Sequence, residues 1–555
     1  MTNTIIVKYN PESSFALNIM KQKYSHTLPN GEKETWEQIA KRVTENVLSV
    51  FPDTSASIKT SIFKAIRDRK FLPGGRYLYA SGRDFHQVQN CLLLRADDSR
   101  EGWSELLQKA SMALMTGAGI GVDYSDVREE GALIRKTGGF ATGPLALMKM
   151  VNESGRYIMQ GGARRSAIWA GLNWDHPDIM KFIQVKDWSG DVRKLKDKDF
   201  NFPATLDGTN ISTILKKGFF EAYHDTSSPK HAMAYAVYWE TVKQMVQKAE
   251  PGISVDYDNP RDSLRNACCE ISSEDDSDIC NLGSINMANV SSIEEMRELT
   301  KLGTLFLMAG TVYSDVPYAE VDKIRRKNRR LGLGIMGVHE FLLKRGEKYG
   351  ETASIQPYLE EYVLSGEYAK VVAKKQNISA PVKTRAIAPT GTIGIIAETT
   401  TGIEPIFCVA YKRRYLKHTT WHYEYVIDPC AKRLIENEGI HPEAIEDAYT
   451  LSENIETRVK FQAYIQKYVD HGISSTINLP AWGSKGNNES TVEAFGNMLL
   501  TYLPHLRGIT CYPDGARGGQ PLTPVKYTTA IKNGNQVFVE QADMCDISGK
   551  GSCNE

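Results

Sequence analysis

The amino-terminal part of the chain has the hydrophobic periodicity of amphipathic helices. Within residues 35–50, apolar side chains recur at helical spacing, at Trp36, Ile39, Val43 and Val47. Residues 57–70 predict a second helix, and the turn Pro73-Gly74-Gly75 ends this part. We therefore predict a small helical region over residues 1–70.

Beyond residue 70, short apolar runs alternate with helical patterns between turns rich in glycine and proline. The last such pair is a predicted helix over residues 456–469 and a predicted strand over 474–479. This alternation predicts one large α/β domain over residues 71–511. Residues 512–555 are rich in glycine and polar residues, and we predict a flexible tail there.

The composition excludes several classes of protein. The 555 residues include 67 Lys+Arg and 67 Asp+Glu, whereas nucleic-acid-binding proteins usually carry a basic excess. We see no signal peptide and no apolar run of the roughly 18 residues that a membrane span needs, so we expect a cytoplasmic protein without membrane or nucleic-acid partners. The nine cysteines are then expected to be reduced, unless a disulfide is part of the function.

Three residues at alternating positions, Asn266, Cys268 and Glu270, are the most informative feature of the chain. In an extended strand or finger their side chains share one face, which brings an amide, a thiol and a proton acceptor together. Cys91 and Cys280 stand in similarly distinctive contexts, Gln-Asn-Cys-Leu and Cys-Asn-Leu-Gly. Three thiols and one acid–base group indicate radical or redox chemistry, although a single buried cysteine usually acts as a small hydrophobe.

Two further segments could contact an anion. Residues 388–394, Ala-Pro-Thr-Gly-Thr-Ile-Gly, place small residues and hydroxyls before an apolar stretch, so backbone N–H groups and Thr side chains could bind phosphate. Residues 160–166, Gln-Gly-Gly-Ala-Arg-Arg-Ser, combine glycines with two guanidinium groups and could contact a nucleotide. Ordinary surface turns remain the alternative for both.

Two other motifs are misleading. Residues 332–337 match GxGxxG, but a basic run over 323–330 precedes them instead of the apolar strand that a dinucleotide site requires. We interpret that basic run as a solvated face. His339-Glu340 lacks a second histidine at zinc-binding spacing and the cysteines form no CxxC pair, so we expect no metal site.

Together, these motifs resemble those of the large catalytic subunit of ribonucleotide reductases. They occur in the family's order, from Cys91 to Thr401-Gly402-Ile403-Glu404-Pro405, and span roughly residues 70–510. The resemblance implies an α/β fold, a ten-stranded α/β barrel of two five-stranded halves. It also implies a central finger loop that carries Cys268.

The resemblance further implies a role for each motif. A thiyl radical on Cys268 would abstract the 3′ hydrogen of a ribonucleotide, Glu270 would accept the 3′-OH proton, and Asn266 would hold the substrate hydroxyls. Cys91 and Cys280 would supply two electrons and end as a disulfide, which requires Cα atoms within roughly 7 Å. The residues implied in substrate binding are Asn90, Gly119, Pro389, Thr390, Gly391, Thr392 and Ile393.

The source of the radical follows from a missing motif. Relatives that take their radical from a partner protein carry adjacent tyrosines, and this chain has no Tyr-Tyr pair. The resemblance then favours the class that uses adenosylcobalamin. A partner-dependent subunit with a separated tyrosine relay stays an alternative, as does a non-enzymatic thiol or metal-binding protein.

Regulation is also implied by the resemblance. Asp98, Arg128, Gln160 and Arg164 resemble residues of the family's allosteric specificity site, which binds a nucleotide effector. Such sites usually need a dimer interface, so we expect a homodimer, with a monomer as the alternative. Residues 1–70 do not resemble the family's ATP-cone.

Two positions depart from the family pattern. Cys269 adds a thiol beside the radical site, in a place where a small or apolar residue is more usual. Gly74-Gly75-Arg76 occupies a stretch where Ser or Thr is common, which concerns one side of the phosphate site.

Cys545 and Cys553 are the available pair for a redox shuttle between the active site and a thioredoxin-type reductant. Changing both to Ser should leave a single turnover of pre-reduced enzyme intact. Multiple turnover with a thioredoxin-type protein should fall sharply, and dithiothreitol should partly restore it. Normal multiple turnover of the double variant with the protein reductant would show that the tail is passive.

Overall fold

The structure is a computed structural model that describes residues 14–135, 138–160, 164–199, 202–256, 262–417, 420–516, 522–534 and 537–539. The α-helices are α1 (Ser14–Lys23), α2 (Trp36–Leu48), α3 (Ala56–Arg67), α4 (Gly75–Ala80), α5 (Arg100–Met115), α6 (Gly143–Tyr157), α7 (Ile179–Ile183), α8 (Gly190–Lys198), α9 (Phe219–His224), α10 (His231–Lys248), α11 (Ile293–Tyr313), α12 (Ala319–Asn328), α13 (Val338–Leu343), α14 (Gln356–Val363), α15 (Ser365–Gln376), α16 (Gly391–Ala397), α17 (Pro429–Glu438), α18 (Ile455–Gln466), α19 (Val492–Tyr502) and α20 (Tyr527–Asn533).

The β-strands are β1 (Phe71–Pro73), β2 (Cys91–Arg95), β3 (Gly119–Asp123), β4 (Met159–Gln160), β5 (Arg164–Arg165), β6 (Ile168–Asn173), β7 (Thr209–Lys216), β8 (Gly252–Asp256), β9 (Leu264–Arg265), β10 (Ser272–Ser273), β11 (Asp278–Asn286), β12 (Leu331–Met336), β13 (Ala410–Lys417), β14 (Thr420–Ile427), β15 (Thr476–Leu479), β16 (Gly508–Pro513), β17 (Leu522–Pro524) and β18 (Val537–Val539).

The large sheet consists of two parallel halves. In the first half, β2, β3, β6, β7 and β8 pair in that order, each parallel to the next. In the second half, β11 pairs with β12, and β15 pairs with β16, again in parallel. Isolated parallel bridges, Leu333 to Arg385 and Ile387 to Ile473, place residues 384–388 between β12 and the segment that leads into β15.

The two halves meet through antiparallel pairs. The start of β11 pairs with β2, and β16 pairs with β8. Regular ladders thereby join ten strands into one sheet. One of these ten, β1, lies outside the two parallel halves and pairs antiparallel with β11. With the bridges through residues 384–388, the strands surround a central space, and the predicted ten-stranded α/β barrel is confirmed.

The strands are apolar because helices cover the barrel on its outside. All nine residues of β11 and all six of β12 are buried, as expected of parallel strands with both faces covered. One apolar cluster joins β12 to α2 and α11, and a second joins β3 and β6 to α5, α6 and α10. Among the residues that the structure describes, no helix is both long and apolar enough to cross a bilayer.

The amino-terminal helices pack directly on the barrel. A capping box at Thr35 starts α2, and the four predicted apolar positions of that helix are buried. Helix α2 packs against α11, and α1 packs against α16. The two helices predicted from the periodicity are therefore confirmed, and they share their apolar cluster with the second half of the barrel.

The carboxyl-terminal segment differs in part from the predicted tail. Strands β17 and β18 pair with the two outer edges of the β13–β14 hairpin and form a four-stranded sheet, with α20 between them in sequence. A long hairpin has two unpaired edges, and these short strands cover them. Cys545 and Cys553 lie outside the described residues, so the shuttle and the boundaries of the three predicted regions stay predictions.

A hairpin of β9 and β10 enters the barrel and forms the predicted finger. Strand β9 contacts β2 and β3 of the barrel wall. The approach is very close, because a Cβ atom at Gly121 would lie 1.8 Å from the carbonyl oxygen of Arg265. A Cβ atom at Gly119 would lie 2.9 Å from the Cβ of Ala267. The finger therefore fits only against a wall without side chains at these two positions.

Gly121→Ala should consequently destabilise the protein by about 1–3 kcal/mol, the usual cost of overpacking a close contact. Urea denaturation of the variant and the parent measures this difference. Gly190→Ala is the matched control, because a Cβ atom at that position meets nothing within 4 Å, and it should change stability by no more than about 0.5 kcal/mol. Equal stability of the two variants would contradict the close approach.

Candidate active site

The tip of the finger is a tight turn. The Cys269 N–H donates to the carbonyl oxygen of Asn266 at 3.1 Å, so residues 266–269 reverse the chain direction. Cys269 has φ 66°, in the left-handed region that side-chain-bearing residues rarely adopt. The extended conformation considered for Asn266, Cys268 and Glu270 is therefore wrong at the tip, because the chain must turn there to run back out of the barrel.

Asn266 and Glu270 face each other across this turn. The Asn266 Nδ2 donates to Glu270 Oε1 at 2.8 Å, and Asn266 Oδ1 accepts from the Ile271 N–H at 3.1 Å. Both side chains are buried, while Cys268 and Cys269 are only half-buried. The amide therefore orients the carboxylate, and the two cysteines are the less buried part of the turn.

Burial changes the acid–base properties of Glu270. It raises the pKa of this carboxyl to about 7, against which the hydrogen bond from Asn266 acts only in part. Within the described residues, Glu270 Oε2 has no hydrogen-bond partner. A carboxyl group that is half ionised near neutral pH, with one oxygen available, suits proton transfer to and from a substrate.

Cys91 and Cys280 lie directly opposite each other where the two barrel halves meet. They are register partners in the antiparallel pair of β2 and β11, and the Asn90 N–H donates to the Cys280 carbonyl oxygen at 3.0 Å. Opposed residues in such a pair have Cα atoms about 4.5–5.5 Å apart, close enough for a disulfide. Both residues are in the thiol form in this structure.

The thiol pair adjoins the finger. A Cβ atom at Gly119 would lie 3.3 Å from Cys91 Sγ and 2.9 Å from Ala267 at the finger tip. Burial, and then the neighbouring Cys91 and Glu270, raise the pKa of the Cys280 thiol. The structure thus brings Cys91, Cys280, Glu270 and Asn266 into one region, as the sequence predicted.

The predicted phosphate loop leads into α16. Thr390 is buried and its Oγ1 accepts from the Gly402 N–H at 3.0 Å, whereas Gly391 is exposed with open space around its Cα. Residues 384–388, which precede the loop, are the strand segment between β12 and β15. The loop is thereby fixed to the barrel wall, with Pro389 exposed and Thr392 and Ile393 in the first turn of α16.

The four residues predicted for an effector site form two pairs. Arg128 Nε donates to Asp98 Oδ2 at 2.7 Å, just before the start of α5. Gln160 and Arg164 are register partners in the β4–β5 hairpin, and α5 contacts β4. Asp98 of the first pair therefore lies just before α5, and the second pair lies on a hairpin that α5 contacts.

The sequence did not reveal Arg265 and Gly121, two residues that fix the finger against the barrel wall. The fully buried Arg265 donates to the carbonyl oxygens of Leu264 and Val255, at 3.1 and 3.0 Å. Gly121 makes the approach of the finger feasible. Neither has a signal in the sequence, because both act on backbone atoms and no side-chain pattern records such contacts. In the part of the chain described here, no group of three or more His, Cys, Asp or Glu residues could hold a metal ion.

Comparison with known proteins agrees with this site. A profile of the ribonucleotide reductase barrel domain matches residues 89–256, 263–357 and 382–512. That match covers most of the chain and includes the finger, the opposed cysteines and the phosphate loop. The chain therefore belongs to the ribonucleotide reductase family, and the resemblance stated above is confirmed.

Curated relatives extend the comparison. A vitamin B12-dependent ribonucleoside-diphosphate reductase of Thermoplasma acidophilum is 27% identical, over 82% of this chain and 65% of the relative. A protein of the same description from Mycobacterium tuberculosis is 26% identical, over 82% of this chain and 71% of the relative. A putative adenosylcobalamin-dependent ribonucleoside-triphosphate reductase of Mycobacterium phage D29 is 23% identical, over 71% and 74%. The chain thus spans about two thirds to three quarters of the length of these relatives.

The raised pKa of Glu270 predicts a pH-dependent effect on stability. The carboxyl binds a proton more tightly in the folded protein than in the unfolded chain. Its protonation therefore stabilises the folded protein fully below the ordinary pKa of 4.5, and this stabilisation is lost as the pH rises through about 7. Glu270→Gln should therefore be more stable than the parent by about 3 kcal/mol at pH 8.

At pH 5 most of that difference should disappear. Urea denaturation of both proteins at the two pH values measures it, and Glu453→Gln at an exposed position controls for the substitution itself. A stability difference between parent and Glu270→Gln that is the same at pH 5 and pH 8 would contradict the raised pKa.

Proposed function

We propose that this chain is a ribonucleotide reductase that converts ribonucleotides to 2′-deoxyribonucleotides by thiyl-radical chemistry. The observation that carries the proposal is the cross-strand pair Cys91–Cys280, which lies beside a finger bearing Cys268 and Glu270. A two-electron reductant, a hydrogen-abstracting sulfur and a proton acceptor are the groups that this reaction requires.

Each group has a defined step. The Cys268 sulfur radical takes the 3′ hydrogen atom, and Glu270 accepts the 3′-OH proton while Asn266 orients it. One thiol of the Cys91–Cys280 pair protonates the 2′-OH, which leaves as water, and the pair delivers its second hydrogen to C2′ while the two sulfurs form a disulfide and so supply two electrons. Glu270 returns its proton to the 3′ oxygen. The hydrogen atom then returns from Cys268 to C3′, which regenerates the radical. A base of this kind typically contributes about 10²–10⁴-fold to the rate.

Substrate binding uses the neighbouring wall and loop. The Asn90 Oδ1 is buried and, in the described ranges, has no hydrogen-bond partner, so it is suited to a sugar hydroxyl. The backbone at Gly119, which lies beside Cys91 Sγ, would line the sugar. The loop from Pro389 to Ile393 would bind the substrate phosphates through backbone N–H groups and Thr hydroxyls.

Adenosylcobalamin is the radical source that we propose, since the relatives named above are described as dependent on vitamin B12 or adenosylcobalamin. The cofactor supplies a carbon radical by homolysis of its cobalt–carbon bond. The finger fits this use, because Cys268 and Cys269 are half-buried whereas Ala267 and Glu270 on either side are buried. Cys268 is the finger residue that would face the cofactor, whereas the thiol of Cys269 is itself buried.

A partner-dependent catalytic subunit remains the second candidate, and one observation favours it. Tyr464 and Tyr468 lie one turn apart on and just after α18, with hydroxyl oxygens 3.5 Å apart. Two tyrosines in contact could form a separated relay for a radical from another protein. Activity with adenosylcobalamin and no second protein separates the two candidates.

Regulation and assembly complete the proposal. The Asp98–Arg128 pair and the Gln160–Arg164 hairpin are proposed to bind a nucleotide effector that changes base selection, with a coupling of about 1–3 kcal/mol. Large apolar side chains are exposed on the adjacent helices α5 and α6, at Met112, Met115, Met150 and Tyr157. Such a patch favours an interface, and we propose a homodimer. A thioredoxin-type reductant and a cytoplasmic location stay predictions.

The function is tested by turnover of ribonucleoside di- and triphosphates with adenosylcobalamin and a dithiol, without a second protein. Cys268→Ser should abolish tritium release from 3′-labelled substrate, because the O–H bond is too strong for the radical to form. Cys91→Ser and Cys280→Ser should still release tritium but yield no deoxynucleotide. Deoxynucleotide production by Cys268→Ser would refute the assignment.

A further inference from the structure

Residues 470–474 form a short segment between the finger and the strand that precedes the phosphate loop. The segment lies between α18 and β15, and none of its residues belongs to a motif discussed above. Its backbone and side chains bond to the finger on one side and to residues 384–387 on the other. It is therefore the place where the two parts of the proposed active site are joined.

On the finger side, two bonds hold the strand that returns from the tip. The Gly472 N–H donates to the Glu270 carbonyl oxygen at 2.7 Å, and the Ser272 N–H donates to His471 Nδ1 at 3.2 Å. The fit is tight, since a Cβ atom at Gly472 would lie 3.0 Å from the Cys269 carbonyl oxygen. The segment thus contacts the residues that directly follow Cys268.

On the other side, the same segment holds the strand that runs into the phosphate loop. The His471 N–H donates to the Arg385 carbonyl oxygen at 3.0 Å, and the Ile387 N–H donates to the Gly472 carbonyl oxygen at 3.2 Å. The Asp470 carboxylate accepts from the Arg385 N–H at 2.7 Å. Lys383, at the start of that strand, donates to Ser272 Oγ at 2.8 Å and closes the connection.

His471 is suited to this contact only as a neutral ring. Its side chain is fully buried, and burial together with the nearby cations Lys383 and Arg330 lowers its pKa well below the ordinary value. Because Nδ1 accepts the Ser272 N–H, the ring proton is on Nε2. A protonated ring would have no acceptor for that N–H, and the bond to the finger would be lost.

We propose that His471 is a positioning residue that holds the finger, through the Ser272 N–H, in register with the strand leading to the phosphate loop. The inference rests on the proposed function, because it takes Glu270 as the base and residues 389–393 as the phosphate site. A displacement of about 1 Å between reacting groups can lower a rate by about 100-fold, so a fixed distance between finger and phosphate loop matters for the reaction.

The test measures the environment of Glu270 in the resting protein, without nucleotide, cofactor or turnover. Infrared difference spectra against the same protein carrying Glu270→Gln give the titration midpoint of this carboxyl. Asn266, Cys269 and Cys280, the groups that face this carboxyl, are not substituted in any of the variants. In His471→Leu the finger should leave its position and admit water, and the midpoint should fall from about 7 by at least about one pH unit towards the ordinary range of glutamate.

His471→Asn is the conservative variant, because its Oδ1 takes the place of Nδ1 as acceptor, and it should keep the midpoint near 7. His339→Leu is the matched control. His339 is equally buried, and its Nδ1 accepts the Ile406 N–H at 3.0 Å, but it lies on α13 beside Tyr349. Its replacement should cost stability without moving the Glu270 midpoint.

The outcomes separate positioning from simple packing. An unchanged midpoint in His471→Leu, or an equal shift in His339→Leu, would overturn the proposal. If His471→Leu does not fold, His471→Gln carries the test, because it is polar but its acceptor lies one bond further from the main chain. The infrared result is independent of whether the chain reduces nucleotides. If the chain is an active reductase, kcat of His471→Leu should fall by up to about 100-fold while KM stays near that of the parent.

Discussion

The finger reaches the centre of the barrel because β3 presents no side chains at residues 119 and 121. Any Cβ atom at Gly121 would overlap the Arg265 carbonyl oxygen, and one at Gly119 would press on Ala267. The same gap places Cys91 Sγ next to the finger tip. The distances among the sulfur atoms and the carboxylate of the proposed reaction are thus set by a backbone contact.

This close packing also sets the electrostatics of the site. Glu270 and Cys280 are both buried, and burial raises the pKa of both groups. Glu270 is therefore half ionised near neutral pH, and the Cys280 thiol stays protonated. Cys268, at the tip, is only half-buried, so the residue that we propose as the hydrogen-abstracting thiol is less enclosed than Glu270. The finger thus combines a buried carboxyl group with a half-buried cysteine.

Local patterns in the sequence predicted the local parts of this structure. The periodicity of α2 was sufficient for that helix, and the alternation of elements was sufficient for an α/β domain. The barrel and the residues that meet in its centre followed from the family resemblance that the cysteine and phosphate-loop motifs carry. The turn at the tip was not predictable from Asn266, Cys268 and Glu270, because alternation describes a strand and the reversal depends on the barrel around it.

Long-range partners explain another difference from the sequence analysis. The basic run over 323–330 was interpreted as a solvated face, but Arg325, Arg329 and Arg330 are buried. Arg330 Nε contacts Asp278 Oδ2 at 2.6 Å at the start of β11, where a charged side chain is tolerated because its partner is buried beside it. No periodicity within the run could show this, since the partner lies on a distant strand.

The pairing of β2 with β11 has a consequence for the assembly of the protein. Cys91 belongs to one parallel half of the barrel and Cys280 to the other, and they become neighbours only when the two halves join. Contacts of such sequence separation form late and slowly in folding. A nascent or partly folded chain therefore carries two separate thiols, and the pair that could close into one disulfide arises only with the completed fold.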